Sequence, residues 1–142
     1  MKYIGIIIAV ILAVGIWLVV SRQHSKPTTN STVTQAAKRE YLAIVSQAKA
    51  GEAIIYDVRT QEEYAAGHFA EAINFPMQSM SAGELPEFTK DTPIYVYCRS
   101  GSRSHTAAEL LKKAGFINVT DLGGLEAVKR IGGTLNKESS TL

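Results

Sequence analysis

One cysteine and two arginines share a seven-residue polar stretch, Cys98-Arg99-Ser100-Gly101-Ser102-Arg103-Ser104. The run before it, Pro93-Ile94-Tyr95-Val96-Tyr97, has the β-branched and aromatic residues of a short strand. After it, apolar residues at 107, 110, 111 and 114 mark one face of a helix from Ser104 to Ala114. Cys98 is thereby expected at the carboxyl end of a strand, on a loop feeding a helix N-terminus. Ser100, Gly101 and Ser102 are small enough for successive backbone N–H groups to turn inward as an anion-binding nest. The helix dipole and the guanidiniums of Arg99 and Arg103 add positive potential. Such surroundings stabilise a thiolate, the form of cysteine that acts as a nucleophile. The competing reading is an inert, buried thiol in an ordinary strand-to-helix connection. Two arginines beside such a thiol would have no packing rationale.

Composition narrows the remaining classes. The 142 residues suit one domain of ordinary size, and a net charge of +2 with no basic cluster among aromatics argues against nucleic-acid binding. A single cysteine rules out an intramolecular disulfide and a cysteine-only metal site. His24, His68 and His105 lack metal-ligand spacing, so neither a metal nor a cofactor is expected.

Ile4 to Val20 is an unbroken apolar run of 17 residues, preceded by Lys2 and followed by Arg22 and Lys26. As a helix it would span about 25 Å, enough to cross a thin bilayer. We read residues 1–22 as a single-pass, uncleaved membrane anchor, with Trp17 at the interface, and residues 23–34 as a polar tether. Residues 35–137 form the domain and 138–142 a frayed tail. Arg22, Lys26, Lys38 and Arg39 outweigh Lys2 and the terminal amine, and this bias puts the domain on the cytoplasmic side.

Within the domain, helices are expected at about Gln35–Ala50, after a Thr60/Glu63 capping box, within Met77–Phe88, and at Leu125–Ile131. Strands are expected at Ala53–Val58, Ala72–Phe75, Pro93–Tyr97 and Ile117–Leu122. Strands that are apolar throughout and alternate with helices imply an α/β fold: a parallel sheet covered on both faces, whose ligand sits beyond the strand carboxyl ends. Asp57 and Arg59 fall at such an end and suit a structural charge pair.

The chain resembles the single-domain rhodanese (thiosulfate sulfurtransferase-like) family over about Ala48 to Leu135. The resemblance rests on Asp57-Val58-Arg59, Glu63-Tyr64-Ala65-Ala66-Gly67-His68, Ala72-Ile73-Asn74-Phe75-Pro76, the Tyr97–Ser104 stretch and Gly123-Gly124, in that order and spacing. It implies a rhodanese-like fold and makes Cys98 the catalytic nucleophile. Cys98 would take a sulfane sulfur from a small anionic donor such as thiosulfate and pass the persulfide sulfur to a thiol, cyanide or a protein acceptor. Arg99, Ser100, Gly101, Ser102 and Arg103 would bind the substrate, with Asp57, Arg59 and Glu63 as structural support. Four residues separate Cys98 from Arg103, one fewer than in cysteine phosphatases and arsenate reductases that cradle phosphate, so those activities are a weaker alternative. A second alternative is a docking or persulfide-relay module without turnover of its own. Two departures stand out: Glu71, where the family often has glycine, and Val128, where it commonly has tryptophan.

Overall fold

A computed structural model of the chain describes residues 29–136. The apolar run 4–20 and the tail 138–142 lie outside the described residues. Among the described residues no helix is long and apolar enough to cross a membrane.

Helix α1 (Thr29–Lys49) leads into strand β1 (Ile54–Asp57), then the short α2 (Gln61–Ala65), β2 (His68–Phe69) and β3 (Ala72–Asn74). Next come α3 (Met77–Ser81), β4 (Ile94–Cys98), α4 (Ser102–Lys113), β5 (Val119–Gly124), α5 (Leu125–Arg130) and β6 (Leu135–Asn136). The main sheet has the order β3-β1-β4-β5, and its three pairings are all parallel. The α/β expectation of a parallel sheet with helices on both faces therefore holds.

The period-2 alternation of a strand divides the core into two layers. Ile54 and Tyr56 of β1 and Ile94, Val96 and Cys98 of β4 face α4, where they meet Ala107, Ala108 and Leu111, with Met80 of α3 beside them. Ile55 and Tyr97 face the other way, against Tyr41 and Ile44 of α1 and Val128 of α5. Cys98 thus points toward the N-terminal half of α4 because it is two and four residues from Val96 and Ile94.

Three elements differ from expectation. Helix α1 begins at Thr29, in the stretch read as tether, because once Tyr41 and Ile44 are docked each further helical residue adds a hydrogen bond at low cost. Helix α3 fills only the first part of the Met77–Phe88 stretch expected to hold a helix or helical turns, ending at Ser81, and the chain turns through Gly83 at φ 97°. A small antiparallel pair, β2 with β6, carries no sequence signal, since two residues are too few to show alternation. Of the two departures from family pattern, Glu71 is the only non-glycine at positive φ among the described residues (φ 59°), which accounts for glycine at that turn elsewhere. Val128 is fully buried and packs on Gly133, which has no room for a side chain: a Cβ there would lie 2.7 Å from Val128 Cγ1.

Candidate active site

Cys98 is the last residue of β4, and residues 99–101 carry the chain to the first turn of α4. The turn is possible because Gly101 adopts φ 102°, open to glycine at little cost. Gly101 is also the N-cap of α4 and has no side chain to accept the helix's first N–H groups. The cysteine sulfur faces this end of the helix and accepts the N–H of the N-cap residue, Gly101, at 3.1 Å. Burial pushes the Cys98 thiol up, but the Ser104 N–H and hydroxyl and the N–H groups of Gly101 and Ser100 outweigh it and hold the pKa below its ordinary value. Of the small residues expected to form a nest, Gly101 directs its N–H at the sulfur.

The far wall of the loop is the end of β5. A bulge shifts the β4–β5 register between Val96 and Tyr97, so Gly123 and Gly124 lie opposite Tyr97 and Cys98. Asp121 Oδ1 accepts the Gly123 N–H at 2.8 Å and fixes that bend. Gly124 bridges to Ser100, and the Leu125 N–H donates to the Arg99 carbonyl at 3.1 Å. A Cβ on Gly124 would fall 2.9 Å from the Arg99 oxygen and 2.9 Å from the Ser100 carbonyl carbon, so only glycine admits this approach. In the sequence Gly123-Gly124 marks a strand end; its role as a wall of the loop depends on strand order.

The two arginines part company. Arg99, like Ser100 and Ser102, is exposed, and makes no ion pair among the described residues. Arg103 was grouped with the substrate-binding residues, but its guanidinium is turned to Glu63 of α2. Nη1 donates to Oε2 at 2.6 Å and Nη2 to Oε1 at 3.0 Å. The same carboxylate completes the capping box by accepting the Thr60 N–H at 3.2 Å, while Thr60 Oγ1 accepts the Glu63 N–H. Chiefly through the Arg103 bond, Glu63 is held down to a pKa of about 2. Arg103 therefore ties α4 to α2, and its charge reaches the sulfur only through space.

Asp57 and Arg59 form the expected structural pair. Arg59 Nε donates to both Asp57 oxygens at 2.9 Å, its backbone N–H to Oδ1 at 3.0 Å, and Nη2 to the Gly67 carbonyl at 2.7 Å. Both side chains are buried, and the Tyr97 ring lies 5.9 Å from the guanidinium carbon. The pair fastens the end of β1 to the turn after α2, the helix that carries Glu63.

Ser104 was not singled out in the sequence as a site residue. It is fully buried, and its single hydroxyl proton is shared between the carbonyls of Gly101 at 2.9 Å and Gly123 at 3.3 Å. A serine in a first helical turn is so common that no sequence signal could have distinguished it.

Comparison with known proteins agrees with this arrangement. A family model described as "Rhodanese-like domain" matches residues 41–131. Residues of this chain are 35% identical to the thiosulfate sulfurtransferase PspE of Escherichia coli over 75 residues, covering 51% of this chain and 70% of PspE. They are 38% identical over 72 residues to the adenylyltransferase and sulfurtransferase uba4 of Ogataea parapolymorpha, but that match spans 50% of this chain and only 18% of uba4. The X-ray structure of the rhodanese-like domain of the Anabaena protein Alr3790 is similar with a TM-score of 0.53 and 35% identity, over 59% of this chain and 86% of that one.

Proposed function

The chain belongs to the rhodanese-like domain family, and on that premise we propose that it transfers a sulfane sulfur through a persulfide on Cys98. The observation that carries this reading is the Cys98 sulfur facing the N-terminal end of α4, with the Gly101 N–H at 3.1 Å. A thiol held there is ionised more readily than an ordinary one and needs no separate base.

The reaction balances without an external oxidant. Cys98 Sγ attacks the outer sulfur of an anionic donor such as thiosulfate; a new S–S bond forms, the donor's own S–S bond breaks, and sulfite departs with the electron pair. An acceptor thiolate or cyanide then attacks the terminal persulfide sulfur and releases Cys98 as thiolate. Two anions meet in the first step, so the site must offset their repulsion. The inward N–H groups do this at the sulfur, and the exposed Arg99 is placed to meet the donor. Cys98 has no exposed surface in this conformation, while Arg99, Ser100 and Ser102 around it are exposed. We assign the apolar run 4–20 to membrane attachment, with the domain on the cytoplasmic side, on the basis of its length and flanking charges.

The test is mass spectrometry of the protein after incubation with thiosulfate. One added sulfur atom, located at Cys98 and removed by cyanide, is expected, and Cys98→Ser should neither gain sulfur nor turn over. Sulfur transfer that survives in Cys98→Ser would overturn the assignment.

A further inference from the structure

We propose that Ser104 is a positioning residue for the reacting sulfur. Its buried hydroxyl, bonded to Gly101 of the loop and to Gly123 at the end of β5, holds the loop in the shape that aims amide N–H groups at Cys98 Sγ. The inference rests on the reading of Cys98 as the reacting thiolate.

Helical serines often bond back to the carbonyl three or four residues earlier, and the Gly101 contact alone would be such a bond. The Gly123 contact is different, because its acceptor lies 19 residues away on another element. The hydroxyl therefore joins the two walls of the loop at a point with no solvent exposure. Alanine would fill the same space and favour the helix more. Its cost would fall at the Gly123 carbonyl, left short of a donor, because the Gly101 carbonyl keeps the His105 N–H at 3.0 Å. A loop no longer tied to the end of β5 aims its N–H groups less well at the sulfur, which disfavours the thiolate. The charged and titratable groups on the surrounding elements are Arg99 of the loop, Arg103 and His105 of α4, and Asp121 of β5. Beyond them lie Glu63 of α2 and the Asp57–Arg59 pair after β1. Substituting Ser104 removes none of them.

The experiment measures the rate of Cys98 alkylation by iodoacetamide against pH in the full chain, in Ser104→Ala and in Ser104→Thr, with thermal melting alongside. Below the thiol midpoint, Ser104→Ala should react about tenfold more slowly, which corresponds to a rise of about one unit in the thiol midpoint as the loop N–H groups lose their aim. The difference should vanish at high pH, and Ser104→Thr, which keeps the hydroxyl, should follow the unsubstituted profile. A Ser104→Ala profile that superimposes on the unsubstituted one, with only the melting temperature lowered, would overturn the proposal. Should Ser104→Ala not fold, the unsubstituted chain decides: the Gly101 and Ser104 amide resonances should shift with the alkylation midpoint, and resonances that stay still refute the geometry. Alkylation needs no sulfur donor. Normal alkylation without persulfide formation would therefore count against the sulfur-transfer reading and leave this inference standing.

Discussion

Replacing Glu63 by Gln isolates what the Glu63–Arg103 bridge contributes. Glutamine keeps one oxygen for the Thr60 N–H, so α2 stays capped, but it loses the charge and one of two bonds to Arg103. The Glu63 pKa falls from 4.5 to about 2 in the folded protein. At full value that fall would be worth about 3 kcal/mol. The two side chains are 31% and 28% exposed, however, and solvent screening brings the expected loss to about 1 kcal/mol. For a domain of this size that is a drop of roughly 4–8 °C in Tm. The sign with pH follows from the lowered pKa: the stabilisation is complete above pH 4.5 and disappears as pH falls toward 2. Glu63→Gln should accordingly melt below the unsubstituted protein at pH 7 and converge with it near pH 2. Removing the anion also leaves the Arg103 charge uncompensated beside the sulfur, so thiolate alkylation near neutral pH should quicken. Urea unfolding at several pH values and iodoacetamide kinetics measure both effects. A stability gap that stays constant from pH 7 to pH 2, or slower alkylation at neutral pH, would refute the reasoning.

Gly124→Ala should push the loop outward, because the new Cβ meets the backbone of Arg99 and Ser100 at 2.9 Å and neither can swing aside. Persulfide formation should slow at least tenfold, with a stability loss of about 1–3 kcal/mol from overpacking; an unchanged rate would show that β5 does not shape the site. Cys98 in intact cells should react with a membrane-impermeant maleimide only after permeabilisation, and labelling beforehand would place the domain outside.

What the sequence determined by itself is whatever depends on near neighbours along the chain. Strand β4, the break at Gly101 and the apolar face of α4 put Cys98 at a strand-to-helix junction with its amides turned inward. The Thr60–Glu63 capping box and the Asp57–Arg59 pair, three and two residues apart, were legible for the same reason. Their partners are within reach as soon as the local backbone forms. Tertiary structure alone decided which distant groups close around that junction. The sheet order β3-β1-β4-β5 and the bulge in β5 bring Gly124 against Ser100 and Gly123 to the Ser104 hydroxyl. The placement of α2 against α4 makes Arg103 the partner of Glu63, 40 residues earlier. Hydrophobic periodicity states which face of each element is buried, but not which element covers it. A hydrogen bond needs its two atoms about 3 Å apart, and that spacing exists only once the layers have packed.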